Sequence, residues 1–161
     1  FMLMALLSLP TAATSLLYYT SAYALAGIAS FAVIIYVTKD KNNEDISNFN
    51  GLGKTNPLLA SILTASLLSM AGIPIFSGFF AKFMLFEQII KAGFLVVVIV
   101  AVLNSIVSIG YYFKLILAMY TKDSTEEKKE VPLVYYAVAV ISILLNIILG
   151  VYPSLVTNLL N

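Results

Sequence analysis

The chain has 161 residues, of which 61% are apolar and 11% are charged, and its mean hydropathy is +0.99. A soluble domain typically carries about 25% charged residues, so the composition excludes a soluble globular enzyme and a disordered chain. Cys and His are absent and all nine cations are lysine, which excludes disulfides, iron–sulfur clusters and the commonest zinc ligand. The net charge of +1 provides no field that would attract nucleic acid. The composition therefore predicts a protein whose solvent is lipid.

Long uncharged segments divide the chain into predicted membrane helices. Residues 1–10 are interpreted as the end of a truncated hydrophobic helix, with a short interfacial segment as the alternative. Residues 15–37 carry no charge and are long enough to cross a hydrocarbon core of about 30 Å. Further apolar segments follow at 57–92, 94–120 and 132–157, with polar loops at 38–56 and 121–131. Because only helices satisfy backbone groups over such lengths in lipid, we predict an all-α polytopic transmembrane helix bundle forming a single membrane domain.

The apolar segment 57–92 contains a predicted break. Gly72 and Gly78 permit unusual backbone angles, and Pro74 removes a backbone donor between them. We expect a helix to end near Gly72 and a second helix to begin near Ser77 or Gly78. Each half is about 15 residues long, too short to span a membrane comfortably alone. The simplest interpretation is one crossing made of two half-helices.

The distribution of lysine supports a single broken crossing. If segment 57–92 crosses once, both polar loops lie on the same face of the membrane. The rule that positive charges accumulate on the cytoplasmic side then places both loops in the cytoplasm and the C-terminus outside. In this arrangement the opposite face carries only Lys91, and the cytoplasmic face carries Lys39, Lys41, Lys54, Lys122, Lys128 and Lys129.

Lys82 is the residue that most strongly indicates a function. It lies about 14 Å inward from Lys91 along the second half-helix, which places it near the middle of the membrane. Placing a lysine there costs roughly 2.5–3.5 kcal/mol, and burial disfavours the charged amine. A lysine at this depth can therefore bind and release a proton. The alternative is a lysine whose amine reaches the membrane interface.

Other polar residues are weaker candidates, and each has a structural alternative. Lys114 could relay protons between a loop and Lys82, or it could simply reach the cytoplasmic interface. Glu87 and Lys91 have the i,i+4 spacing of a surface ion pair, with a proton-exit role as the minority interpretation. Two further groups fit either a polar path or ordinary membrane-helix contacts, namely Asn104, Ser105, Ser108 and Asn146, and the aromatic residues Tyr111, Tyr112 and Tyr120.

Several motifs carry a family resemblance over essentially the whole chain. They are the segments Asn48–Pro57, Leu67–Pro74, Gly78–Phe83, Ser108–Lys114 and Gly150–Pro153. Together they resemble subunit N of the proton-pumping NADH-quinone oxidoreductases (respiratory complex I), a family of antiporter-like membrane subunits. The resemblance corresponds to the C-terminal third of that subunit. The Asn-Gly-Leu-Gly-Lys loop indicates subunit N within the wider antiporter-like group.

The resemblance implies roles for two lysines. Lys82 matches the key lysine of the family's second broken helix, where it is the terminal protonatable group of a hydrophilic axis. A sister subunit carries Glu there, so Lys82 argues against that paralogue. Lys114 stands where the family often has Arg, which keeps the charge and changes the hydrogen-bond geometry. The family's partner lysines lie upstream of this sequence.

The function expected from these arguments is proton translocation coupled to electron transfer from NADH to quinone. The chain itself is expected to hold no redox centre, cofactor or metal, and to meet quinone only through the whole complex. Expected partners are the lipid bilayer and other membrane subunits, in the cell inner membrane, with no nucleic acid. Two alternatives remain: a cation/proton antiporter subunit of a multi-subunit exchanger, and a structural membrane subunit whose lysine pairs with a neighbour's acid.

Overall fold

The structure is a computed structural model that describes residues 1–8, 12–123 and 130–158, without the side chain of Thr157. These residues form helices, turns and loops, with no strand among them. Two short segments are 3-10 helices, Met2–Ser8 and Ile46–Phe49. The α-helices are α1 (Ala13–Thr38), α2 (Leu52–Thr55), α3 (Pro57–Ala71), α4 (Ser77–Lys91), α5 (Leu95–Thr121), α6 (Leu133–Val151) and α7 (Ser154–Thr157).

Helices α1, α5 and α6 are each long and apolar enough to cross a membrane. Helices α3 and α4 have 15 residues each, or about 22 Å, which is short of a hydrocarbon core. The two short helices follow each other with only residues 72–76 between them. The predicted all-α transmembrane bundle with one discontinuous helix is confirmed.

The observed helix bounds differ from the expected ones in a few places. In the N-terminal segment, residues Met2–Ser8 form a 3-10 helix, and residues 9 and 10 lie outside the described residues. Gly78 lies in the first turn of α4 rather than in the break. The last predicted span divides at Pro153 into α6 and α7. Residues 124–129 of the expected loop at 121–131 also lie outside the described part of the chain.

Three groups of buried side chains hold the described helices together, and the smallest of them joins α4 to α5 through Ile89 and Val98. The first lies among α1, α3, α5 and α6, where Val33, Leu63 and Met119 are fully buried. The second joins α1 to α4 through Tyr18 and Leu85, which are also fully buried. Helix α1 contributes to both groups, and α5 leaves most of its apolar side chains exposed.

The polar segment before α3 contacts the C-terminal end of α5. The Lys54 amine lies 2.6 Å from a carboxylate oxygen of Asp123, and the Gly51 N–H donates to the Ala118 carbonyl at 3.2 Å. The hydrogen bond from Lys54, together with its charge, holds the pKa of the Asp123 carboxyl below its usual range. The two polar regions therefore lie at the same end of the bundle. This is the arrangement expected when α3 and α4 together make one crossing.

Candidate functional site at the helix break

The amine of Lys82 lies at the break between α3 and α4. Its Nζ donates to the carbonyl oxygens of Met70 at 2.9 Å and Ala71 at 3.0 Å, and it lies 3.4 Å from the hydroxyl oxygen of Ser105. The residue is 7% exposed. Lysine side chains on a helix lean toward its N-terminus, so a lysine in the second turn of α4 is directed back to the end of α3. The side chain thus bridges the two half-helices instead of extending toward solvent.

The two carbonyls are available because of the way α3 ends. The Gly72 N–H donates to the Ser69 carbonyl and the Ile73 N–H donates to the Leu68 carbonyl, each at 3.0 Å, which is the Schellman pattern. This pattern needs a left-handed residue, and Gly72 supplies it with a φ of +89°. Pro74 has no N–H to offer the Met70 carbonyl one helical turn earlier. The last two carbonyls of α3 are therefore left for side-chain donors.

Two opposing effects act on the charged form of the Lys82 amine at this position. The C-terminal end of a helix carries a partial negative charge, and hydrogen bonds from an ammonium group to carbonyls are stronger than those from a neutral donor. Burial acts in the opposite direction, because a charged group loses its hydration. The balance between these effects depends on how closely the carbonyls of Met70 and Ala71 approach Nζ.

Close backbone contacts hold the two half-helices together at the break. A side chain at Gly78 would collide with the carbonyl oxygen of Ser69, so the first turn of α4 packs directly on the last turn of α3. A side chain at Gly150 of α6 would collide with the carbonyl oxygen of Ile75 in the same way. Ile75 itself has a φ of +94°, an uncommon conformation for a β-branched residue that costs about 1–3 kcal/mol. The break is therefore fixed by packing on both sides.

Aromatic side chains cover the site on the side of α1. The hydroxyl of Tyr23 donates to the Met70 carbonyl at 3.0 Å, so this oxygen accepts from both Tyr23 and Lys82. The ring of Tyr23 stacks on that of Tyr19 with 4.2 Å between the centroids. The amine of Lys82 lies 5.2 Å from the centre of the Phe1 ring, a cation–π distance. Reasoning from the sequence missed Tyr23, because a tyrosine on a membrane helix fits an interfacial position equally well.

The structure separates the other predicted polar residues. Ser105 contacts the Lys82 amine, and Ser108 donates to the Ser105 carbonyl at 2.7 Å instead. Asn104 is exposed on another face of α5, and Lys114 is exposed about 14 Å further along that helix than Ser105. The predicted ion pair at the end of α4 is present, since the Lys91 amine lies 2.6 Å from a carboxylate oxygen of Glu87.

The three residues that were predicted to form the break lie in three different parts of the structure. Gly72 ends α3, Pro74 is exposed between the helices, and Gly78 lies inside α4. Within the described residues, no group of three or more acidic, His or Cys side chains is placed to hold a metal ion. The site is thus one amine bound to two backbone carbonyls, with the hydroxyls of Tyr23 and Ser105 beside it.

Comparison with known proteins places this geometry in a family. The profile of the family described as NADH:quinone oxidoreductase/Mrp antiporter, TM, matches residues 1–108, which include the whole break and Lys82. The chain belongs to this NADH:quinone oxidoreductase/Mrp antiporter family. The resemblance to antiporter-like membrane subunits expected from the sequence motifs is confirmed.

Relatives within the antiporter family are similar over all or most of the chain. This chain is 67% identical over 161 residues to NADH-quinone oxidoreductase subunit N of Flavobacterium johnsoniae, covering 100% of this chain and 35% of that protein. It is 39% identical over 151 residues to subunit N of Cytophaga hutchinsonii, covering 92% of this chain and 33% of that protein. The chain therefore spans about a third of the length of these curated relatives.

Solved structures of large complexes contain chains with the same arrangement. A chain of respiratory complex I from Thermus thermophilus with bound aureothin superposes with a TM-score of 0.86 at 29% identity, over 98% of this chain and 36% of that chain. A chain of the archaeal membrane-bound sulfane sulfur reductase gives 0.82 at 30% identity, over 91% of this chain and 30% of that chain. The antiporter-family fold is thus shared across different respiratory complexes.

Proposed function

We propose that this chain forms part of a proton-translocating membrane subunit of an NADH-quinone oxidoreductase, with Lys82 as the group that carries the proton. The observation that carries the proposal is the buried amine of Lys82, bound to the last two carbonyls of α3 at a helix break within a membrane bundle. Buried ionisable groups and broken helices inside membranes are typical of ion pathways. The 67% identity to subunit N of F. johnsoniae supports the assignment to this complex.

The surroundings of Lys82 suit a group that gains and loses a proton. The protonated amine has three oxygen partners, those of Met70, Ala71 and Ser105. The neutral amine can keep weaker bonds to the same oxygens and can accept a proton on its lone pair. The Ser105 hydroxyl accepts from the amine and donates to the Ala101 carbonyl, so it is a side chain through which a proton can reach or leave the amine. Burial removes hydration from the charged form, which opposes the stabilisation that these oxygens provide.

Lys114 is proposed as a second and more distant relay. It lies nine positions after Ser105 on α5, so a proton would pass between the two through bridging water. The faces of α5 that carry Asn104 and Lys114 are exposed in this part of the protein. The remaining two thirds of a subunit of this size would supply the groups that face them.

The proposal includes the setting of the subunit. Other membrane subunits are its partners, the redox centres and the quinone site belong to those subunits, and this chain holds no cofactor. It crosses the inner membrane several times, with the polar segments 38–56 and 121–131 in the cytoplasm and the C-terminus outside. The excess of lysine on those two segments supports this orientation.

A cation/proton exchanger is the competing function, because the family description includes Mrp antiporters. The two functions predict different partner subunits for this chain. We expect an affinity tag on the full-length protein, in its native membrane, to recover NADH-oxidising subunits. The same preparation, reconstituted in sealed vesicles, is expected to generate a proton gradient when NADH and a quinone are supplied.

The control for this experiment is a quinone-site inhibitor, which is expected to abolish the NADH-driven gradient. Recovery of the tagged protein without NADH-oxidising subunits would contradict the proposal. So would a gradient that forms only in response to an imposed sodium or potassium gradient.

A further inference from the structure

Asn146 is a fully buried amide on the apolar helix α6. A buried amide without hydrogen bonds costs several kcal/mol, so its partners indicate why it is there. Its Nδ2 donates to the Ala22 carbonyl of α1 at 2.9 Å, and its Oδ1 accepts from the Ser69 hydroxyl of α3 at 2.9 Å. The amide thus connects α1 to the last turn of α3 through α6.

A second connection runs beside the first. Tyr23, which follows Ala22 on α1, donates to the carbonyl of Met70, which follows Ser69 on α3. Two consecutive residues of α1 are therefore linked to two consecutive residues of α3, one pair directly and one pair through Asn146. The Ser69 hydroxyl also accepts from the Gly78 N–H at 3.4 Å, which adds the first turn of α4 to the same network.

The network ends at the carbonyls that bind Lys82. Met70 and Ala71 directly follow Ser69, and both of their oxygens accept from Nζ. We propose that Asn146 is a positioning residue, which holds the last turn of α3 so that the Met70 and Ala71 carbonyls stabilise the protonated amine of Lys82. This inference rests on the proposed function of Lys82.

The direction of the effect follows from charge. A well-placed carbonyl pair stabilises the ammonium form more than the neutral amine, because charge-assisted hydrogen bonds are the stronger ones. If the last turn of α3 is loosened, the ammonium form loses more, and the proton is released at lower pH. The high-pH side of the activity profile should then move toward lower pH.

Other titratable groups near Lys82 do not account for such a movement. Tyrosine hydroxyls have a reference pKa of about 10, and α3 carries no titratable side chain. The nearest titratable groups on the packed helices are Tyr19 and Tyr23 on α1 and Tyr111 and Tyr112 on α5, whereas Lys114 on α5 and Glu87 with Lys91 on α4 are exposed and lie farther along their helices. Along α4, Glu87 lies more than one helical turn from Lys82 and Lys91 more than two turns, and both are exposed.

The test compares Asn146→Leu with the unchanged protein in the assembled complex. Leucine has a similar size and removes both hydrogen bonds. We expect the pH at which NADH-driven proton translocation falls to half its maximum, on the high-pH side, to decrease by about half a unit or more. The maximal rate at lower pH should stay within about twofold of the unchanged protein, because Lys82 itself is present.

Two further variants separate positioning from a general structural effect. Ser69→Ala removes the same link and should shift the profile in the same direction, and the double variant should shift it no further than the larger single shift. Ser66→Ala is the matched control, since Ser66 is equally buried one turn earlier on α3 and donates to the Ile62 carbonyl of its own helix. Its profile should coincide with that of the unchanged protein.

The inference is overturned if the profiles of assembled Asn146→Leu and Ser69→Ala both coincide with that of Ser66→Ala. If Asn146→Leu does not assemble, Ser69→Ala alone decides, since it removes a single oxygen atom. If Lys82→Met loses activity while Asn146→Leu and Ser69→Ala keep unchanged pH profiles, this inference is overturned and the proposed function is left intact. Full activity in Lys82→Met would overturn the proposed function itself.

Discussion

Replacing Lys82 by Met is expected to lower both NADH–quinone turnover and proton translocation by about tenfold or more. Methionine has a similar length but carries neither the charge nor the three donors that reach Met70, Ala71 and Ser105. A positioned proton-transfer group typically contributes factors of about 10²–10⁴, so its removal should dominate any change in packing. The measurement is turnover and acidification in sealed membrane vesicles, normalised to the amount of assembled complex.

Two lysine variants make this result specific. Lys82→Arg keeps a positive charge and can donate to the same carbonyls, but a guanidinium does not release its proton in proteins. We expect it to assemble and still to lose translocation, which would separate proton exchange from a purely structural charge. Lys91→Met is the matched control, because Lys91 is exposed on the same helix and should keep near-normal activity. Wild-type turnover and pumping in Lys82→Met would exclude the proposed role.

Replacing Gly78 by Ala is expected to impair assembly of the subunit strongly. The new methyl group would collide with the carbonyl oxygen of Ser69, which is backbone and cannot rotate away as a side chain can. Overpacking a well-filled interior typically costs about 1–3 kcal/mol, and small residues in membrane proteins are what permit such close backbone contact. We expect the amount of assembled complex to fall several-fold, measured by native gel electrophoresis of solubilised membranes.

Gly27→Ala provides the comparison. Gly27 lies within α1, and a side chain there would meet nothing within 4 Å. Alanine stabilises a helix relative to glycine by roughly 0.5–1 kcal/mol, so this variant should assemble as well as the unchanged protein or better. Equal assembly of the Gly78 and Gly27 variants would show that α3 and α4 do not approach each other as closely as described.

The break in the second span could be predicted because its causes are local. Gly72 and Pro74 change the backbone whatever surrounds them, and Lys82 stands out in an apolar segment by its charge alone. The partners of Lys82 could not be predicted in the same way. Asn104 and Ser105 are adjacent in the sequence, but the rotation of about 100° per helical residue brings only Ser105 to the amine.

By itself the sequence determined that the protein lies in a membrane, which segments form its helices, and that one helix is interrupted beside a lysine. These features follow from hydropathy and from backbone chemistry over a few residues. Only the tertiary structure decided that the lysine binds the end of the preceding half-helix, and that Tyr23, Ser69 and Asn146 hold that end in place. The physical reason is distance along the chain. The bond from Asn146 to Ala22 joins residues 124 positions apart, and hydrogen bonds of that kind depend on how whole helices pack.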